Sequence, residues 1–86
     1  VATIHGKVQG VHYRVYAQDA ATTLGVVGSV CNKPDGTVVV VAEAFPDVLK
    51  EFVEYLHEGS LHAQVESVSL DWRNASGTFT DFAVLQ

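Results

Sequence analysis

The order in which strand and helix patterns follow one another constrains the fold of this chain more than any other feature. Residues 1–8 alternate in character in the way that a half-buried strand does. Apolar side chains then recur at three- and four-residue steps from Tyr13 to Leu24, which predicts an amphipathic helix. Residues 26–31 and 37–44 are two further β-rich runs, and the turn residues between them predict a hairpin.

The second half of the chain continues this succession of patterns. A second helix is predicted to begin at Phe45, with Pro46 in its first turn, and to end at Gly59. It carries the most regular apolar repeat in the chain, which comprises Phe45, Val48, Leu49, Phe52, Val53 and Leu56. A fourth strand is expected from Val65 to Trp72, and a short fifth strand at 79–85.

The order β-α-β-β-α-β, followed by one more strand, predicts an α+β fold of the ferredoxin-like, split βαβ type. In this sandwich two helices cover one face of an antiparallel sheet, and strand three lies between the parallel strands one and two. The chain has 86 residues, 48% of them hydrophobic, so we expect residues 1–86 to form a single domain around one core. The C-terminal ends of strands one and two then meet at one edge of the sheet.

The stretch from Gly6 to Arg14 leaves the first strand at that edge and is well suited to hold an anion. Backbone N–H groups at the start of a helix have no internal partner, and the helix dipole favours negative charge there. Gly10 allows a close approach to the backbone, and the planar Arg14 side chain can grip two phosphate oxygens. We therefore expect a phosphate to be bound by Arg14 and by the backbone of Gln9, Gly10, Val11, His12 and Tyr13.

Asn32, which follows the second strand, is the other candidate catalytic residue. Its neutral amide can hold a water molecule in line with phosphorus, although asparagine next to Pro34-Asp35-Gly36 is also typical of a simple turn. The sequence lacks a Walker lysine pattern and a carboxylate cluster at this edge, which argues against nucleoside triphosphates and magnesium. The mechanism that is left is hydrolysis by positioning of the reactants and stabilisation of charge. This mechanism suits an activated phosphate such as an acyl phosphate.

Charge and composition limit the possible partners. The net charge is −5, which disfavours nucleic acid, and no apolar run is long enough to span a membrane. Cys31 is the only cysteine, and the four histidines show no recognised ligand spacing, so we expect no disulfide and no metal. A monomer in the cytoplasm is the expected setting, with a small molecule as the only partner.

Two spaced motifs resemble those of a known family. Gly6-Lys7-Val8-Gln9-Gly10-Val11-His12-Tyr13-Arg14 resembles the first signature of the acylphosphatases, and Gly28-Ser29-Val30-Cys31-Asn32-Lys33-Pro34-Asp35-Gly36-Thr37-Val38 resembles the second. The resemblance implies hydrolysis of a carboxyl–phosphate bond without metal or cofactor, with Arg14 binding the phosphate and Asn32 orienting the attacking water. The chain departs from the usual pattern at Tyr13, Ser29 and Ala44.

Two alternatives are compatible with the same fold. The chain resembles the acylphosphatase-like domain of a hydrogenase-maturation carbamoyltransferase, which would act on carbamoyl phosphate and belong to a much longer protein. A ferredoxin-like binding or regulatory module without catalysis would also explain the fold. That module gives no reason for Arg14 and Asn32 to meet at one edge of the sheet.

Overall fold

The structure, a computed structural model, describes residues 1–85. The predicted order of elements is confirmed, with boundaries that differ by a few residues at most ends. The elements are β1 (Ala2–Lys7), α1 (Tyr13–Leu24), β2 (Val27–Asn32), β3 (Val38–Glu43), α2 (Pro46–Glu58), β4 (Gln64–Leu70) and β5 (Phe82–Leu85). Neither helix has both the length and the apolar character needed to cross a membrane, as far as the described residues extend.

The strands form one sheet in the order β4-β1-β3-β2-β5. β1 pairs antiparallel with β3 and β4, and β2 pairs antiparallel with β3, so β3 lies between β1 and β2 as predicted. The ferredoxin-like α+β class is thus confirmed. β5 adds a parallel pair at the free side of β2, which makes the complete five-stranded sheet mixed.

Gly6 marks the point where β1 changes register against β4. Its φ of 127° lies in the region that side chains rarely adopt, and a Cβ at this position would lie 2.1 Å from the carbonyl oxygen of Gln64. Only glycine fits this irregularity. The bend it produces lies directly before the loop that joins β1 to α1.

The core lies between the two helices and the sheet. It contains Ile4, Val8, Tyr13, Ala17, Val30, Val38, Val40, Phe52, Leu56 and Phe82, among others. Phe52 on α2 and Phe82 on β5 meet edge to face, with ring centroids 5.8 Å apart. This contact helps to hold the last strand against the helical layer.

Two aromatic residues lie outside the elements predicted for them. Phe45 precedes α2 in an extended conformation, so its side chain leaves the apolar face of the helix and is 80% exposed. Trp72 lies beyond the end of β4 and is 60% exposed. Leu70 pairs with Ala2, and Asp71 still exchanges backbone hydrogen bonds of 2.8 Å with Val1, so Trp72 is the first residue beyond this pairing.

An irregular stretch, segment 71–81, connects β4 to β5. The Glu43 carboxylate at the end of β3 binds the middle of segment 71–81. One carboxylate oxygen accepts hydrogen bonds of 2.7 Å from both the backbone N–H and the hydroxyl of Ser76, and the other accepts a 3.2 Å bond from the N–H of Gly77. These hydrogen bonds lower the pKa of Glu43, the Ser76 hydroxyl having the largest effect.

Candidate active site

The loop between β1 and α1, residues 8–12, presents a series of backbone donors. Gly10 and His12 both have positive φ values, of 73° and 60°. The first hydrogen bond of α1 runs from the N–H of Tyr16 to the carbonyl of His12, at 3.0 Å, so the N–H groups of residues 13–15 have no partner within the helix. Among the described residues, the N–H groups of residues 9–12 also donate to no backbone carbonyl.

Arg14 lies in the first turn of α1 and is half-buried. Its Nη1 donates a 2.8 Å hydrogen bond to the backbone carbonyl of Leu85 in β5. This bond fixes one side of the guanidinium group. The remaining N–H groups of the side chain are available to a ligand, and a guanidinium can engage two oxygens of a phosphate at once.

Asn32 is the last residue of β2 and lies opposite Val38 in β3. Its Oδ1 atom is buried and has no hydrogen-bond partner in the described residues. An unpaired buried acceptor costs roughly 1–3 kcal/mol unless water or a ligand satisfies it. The side chain thus carries an unpaired acceptor, and Asn32 is also one of the residues that line a cavity beside Arg14.

A cavity of about 270 Å³ brings these groups together. It is lined by Val8, Gly10, His12, Tyr13, Arg14, Val15, Asn32 and Val84. The polar and charged lining residues are His12, Arg14 and Asn32, and two of the apolar lining residues, Val15 and Val84, are 50% and 36% exposed, which places them toward the rim. No acidic side chain is part of this lining, so the cavity suits an anion with an apolar substituent.

Two of the predicted binding residues lie in the loop but not in the cavity lining. Gln9 extends its side chain toward the β2–β3 connection, where its Nε2 donates to the carbonyls of Lys33 and Thr37 at 2.7 and 2.9 Å. The carbonyl of Val11 accepts a 2.8 Å hydrogen bond from the hydroxyl of Ser60. Both contacts fix the loop relative to its surroundings.

The Tyr13 side chain points away from the cavity and into the core. Its hydroxyl donates to the carbonyl of Leu56 at 2.6 Å, in buried surroundings. Burial raises the pKa of Tyr13 well above its ordinary value, and the nearby Tyr16 adds to the effect. Tyr13 is therefore neutral at physiological pH, and it contributes to the cavity through its backbone.

The sequence did not predict three lining residues or the contact from Ser60. Val8 lies within the first motif and Val15 directly follows it, and neither has the polar chemistry by which the other residues were found. Val84 reaches the cavity because β5 pairs with β2, and nothing in a four-residue apolar run identifies its partner. Ser60 is one of five serines in the chain, so its residue type carried no signal.

A second, larger cavity of about 450 Å³ lies away from these residues. It opens between α2, the strand ends at Ala2 and Ala42, and segment 71–81, and most of its lining is apolar. None of the predicted site residues lines it. Within residues 1–85, no group of three or more His, Cys, Asp or Glu side chains is placed to hold a metal ion.

Comparison with known proteins agrees with this geometry. The family model described as "Acylphosphatase" matches residues 1–84 of the chain. An acylphosphatase from Methanococcoides burtonii is 41% identical over 81 residues, which make up 94% of this chain and 84% of that protein. Because the match covers most of both chains, it supports the acylphosphatase interpretation.

Solved structures give the same result. The crystal structure of acylphosphatase from Bacillus subtilis superposes with a TM-score of 0.93 at 31% identity, covering 99% of this chain and 94% of that one. Full-length HypF, in a phosphate- and nucleotide-bound form, resembles the chain in fold alone: the TM-score is 0.86 at 20% identity, over 99% of this chain but 12% of HypF. The chain therefore belongs to the acylphosphatase family, whose members hydrolyse acyl phosphates.

Proposed function

We propose that the cavity beside Arg14 and Asn32 is where this chain hydrolyses acyl phosphates to a carboxylate and inorganic phosphate. The phosphate would lie at the start of α1, where the N–H groups of residues 9–13 and the Arg14 guanidinium donate to its oxygens. Charge on these oxygens redistributes as the reaction proceeds, and donors already held in place stabilise it without reorganising. The predicted binding residues thus act through their backbone.

The unpaired Oδ1 of Asn32 is the observation that carries this proposal. A water molecule donating to this buried acceptor would lie next to a phosphate bound by Arg14, since both side chains line one cavity. Asn32 needs no change of ionisation to hold the water in place. Its contribution is therefore positioning, which raises the rate of attack by making the encounter intramolecular.

The acyl group would lie against Val15 and Val84 at the rim of the cavity. The water oxygen forms a bond to phosphorus, the bond from phosphorus to the acyl oxygen breaks, and the electron pair leaves with the carboxylate. The protons of the water pass to the phosphate product and to solvent. A carboxylate leaves without being protonated, so the reaction needs no general acid, metal or cofactor at this position.

The setting of the reaction is part of the same proposal. We infer a monomeric, cytoplasmic protein in which residues 1–86 act as a single domain on a small-molecule substrate, without a nucleic-acid partner. The net charge of −5 supports the last point. Size-exclusion chromatography with light scattering tests the monomer.

Release of inorganic phosphate from benzoyl phosphate and acetyl phosphate tests the reaction. We expect wild-type turnover to be unchanged by EDTA. Arg14→Ala should lose both phosphate binding and rate, with kcat/KM falling about 10²–10³-fold, which is typical of removing one charge-stabilising donor group. Asn32→Ala should lower kcat by a comparable factor and change KM little, because it positions water and does not hold the substrate.

Matched substitutions elsewhere in the chain serve as controls. Arg73 is an exposed arginine paired with Asp71 in segment 71–81, and Asn74 is an exposed asparagine in the same segment. Arg73→Ala and Asn74→Ala should both retain wild-type activity. The proposal fails if the wild type shows no turnover above buffer and binds no phosphate, or if Asn32→Ala is as active as Asn74→Ala.

A further inference from the structure

A hydrogen bond joins the β1–α1 loop to the turn that follows α2. The Ser60 hydroxyl donates to the carbonyl oxygen of Val11 at 2.8 Å, in half-buried surroundings. The two residues are 49 positions apart in the chain. The acceptor belongs to the loop whose N–H groups the proposed function assigns to the phosphate.

The peptide group between Val11 and His12 transmits this contact to the cavity. It is planar and trans, since residues 1–85 contain no cis peptide bond. In a trans peptide the C=O and N–H bonds point in opposite directions. A hydrogen bond that fixes the direction of the Val11 carbonyl therefore also fixes the direction of the His12 N–H.

The turn after α2 and the cavity are associated with different parts of the fold. α2 packs against β4, whereas α1 packs against β2 and β5, and β4 and β5 are the two opposite edges of the sheet. The cavity is lined from the sheet by Asn32 in β2 and by Val84 beside it, and by no residue of α2. With its carbonyl directed at Ser60, the Val11–His12 peptide directs its N–H away from that turn, and His12 is one of the residues that line the cavity.

The backbone of His12 opposes this orientation. Its φ of 60° lies in the left-handed region, which is disfavoured for a residue with a Cβ atom. Reversing the preceding peptide would rotate this φ by about 180°, to roughly −120°, which together with the ψ of 24° lies next to the sparsely populated bridge region but no longer has positive φ. Reversal would also turn the Val11 carbonyl toward the bound anion, where its partial negative charge repels phosphate.

We propose that Ser60 is a positioning residue that holds the Val11–His12 peptide with its N–H directed at the phosphate of the substrate. The side chain acts through the loop and touches neither substrate nor the reacting atoms. The inference rests on the proposed function, because it explains how one donor of that site is kept in place. It adds a residue that lies outside both sequence motifs.

Substitution of Ser60 tests this role. In Ser60→Ala we expect inorganic phosphate to bind roughly three- to tenfold more weakly, and kcat/KM for benzoyl phosphate to fall by a similar factor, as for one lost hydrogen bond. Ser60→Thr keeps the hydroxyl and should restore both. In ¹⁵N NMR spectra, the His12 amide signal should move strongly on adding phosphate to the wild type and much less in Ser60→Ala.

A matched control removes a similar hydrogen bond that does not touch the loop. The Tyr16 hydroxyl donates at 2.6 Å to the carbonyl of Tyr55 near the end of α2. Tyr16→Phe should leave phosphate binding and the His12 amide response unchanged. Thermal unfolding checks that each variant is folded. If Ser60→Ala does not fold, Ser60→Cys replaces it, because a thiol is a weaker donor of similar size.

A second comparison tests the backbone argument. Glycine adopts positive φ without the penalty of a Cβ atom, so Ser60→Ala should cost less phosphate affinity in a His12→Gly background than beside His12. Equal losses in the two backgrounds, or a His12 amide response in Ser60→Ala that equals that of the wild type, would overturn the positioning role. Absence of both hydrolysis and phosphate binding in the wild type would instead overturn the proposed function.

Discussion

Two tyrosine hydroxyls of α1 satisfy carbonyl groups at the end of α2. Tyr13 donates to Leu56 and Tyr16 donates to Tyr55, each at 2.6 Å. The last carbonyls of a helix have no partner within the helix, so the Tyr13 contact replaces a hydrogen bond from water at Leu56, whereas the Tyr55 carbonyl also accepts a 3.0 Å bond from the N–H of Gly59. They also fasten α1 to the second helix.

Removing the Tyr13 hydroxyl should therefore change stability in a pH-dependent way. At neutral pH we expect Tyr13→Phe to lower the free energy of unfolding by about 1 kcal/mol, the usual net value of a buried hydrogen bond. Burial raises the folded-state pKa of Tyr13. The wild type therefore keeps this stabilising contribution in full when the pH is below 10.0, the ordinary pKa of tyrosine. It loses the contribution as the pH rises through the folded-state pKa.

Urea unfolding at pH 8 and at pH 11 measures this difference. The stability of Tyr13→Phe relative to wild type should improve at the higher pH, because the variant has no phenol at this position to ionise on unfolding. Tyr55→Phe removes an exposed hydroxyl and should match the wild type at pH 8 within about 0.5 kcal/mol. A constant deficit of Tyr13→Phe at both pH values would contradict the linkage.

Residue type and topology singled out Arg14 as a candidate, because phosphate chemistry limits the side chains that can serve, whereas Asn32 was equally typical of a turn and was selected with the help of the family resemblance. Residue type and topology were not enough for Ser60 or for the partner of the Tyr13 hydroxyl. These contacts span 49 and 43 positions in the chain and depend on how the end of α2 docks against the loop. The hydrophobic periodicity of the sequence does not predict that docking.

At the level of elements, the last strand shows most clearly what a pattern can and cannot predict. Apolar residues near the C-terminus predicted a strand, but its four residues, Phe82–Leu85, do not encode a neighbour. In the structure it lies parallel to β2. This placement supplies the Leu85 carbonyl that orients Arg14 and the Val84 side chain at the rim of the cavity.

Segment 71–81 should detach from β3 in acid. The hydrogen bonds from Ser76 and Gly77 lower the folded-state pKa of Glu43. The carboxylate therefore stabilises the attachment in full when the pH is above 4.5, the ordinary pKa of this group. This contribution is lost as the pH falls through the folded-state pKa. We expect the Ser76 and Gly77 amide signals in ¹⁵N NMR spectra to titrate together below pH 4.5.

Substitution of the carboxylate isolates its role in that titration. Glu43→Gln should abolish the joint titration of the two amides and leave the sheet signals in place. Glu54→Gln, on the exposed face of α2, should preserve it. If the Ser76 amide titrates with the same midpoint in Glu43→Gln, another group holds the segment.

At the scale of the whole molecule, the split βαβ topology turns two distant motifs into one site. β3 separates β1 from β2 in the sheet, yet β1 and β2 run in the same direction, so their C-terminal ends lie at the same end of the sheet. The hydrophobic periodicities were sufficient to predict this layout because each strand or helix must bury one face against the same core. Charge is divided in a related way: residues 1–34 carry a net +2 and the remainder −7, so the anion site lies in the basic part of an acidic protein.

Phosphate binding at this site should stabilise the whole fold, because a ligand that binds only the folded state shifts the unfolding equilibrium. At a phosphate concentration ten times the Kd measured by calorimetry, the added free energy is about 1.4 kcal/mol. For a domain of this size we expect Tm to rise by roughly 5–10 °C, measured against chloride at equal ionic strength. Arg14→Ala should lose most of this rise at the same phosphate concentration, whereas Arg73→Ala should keep it. An equal rise of Tm in both variants would mean that phosphate stabilises the protein only as a general salt. Stabilisation by an anion bound in the cavity should depend on Arg14, the arginine that lines it, and not on Arg73.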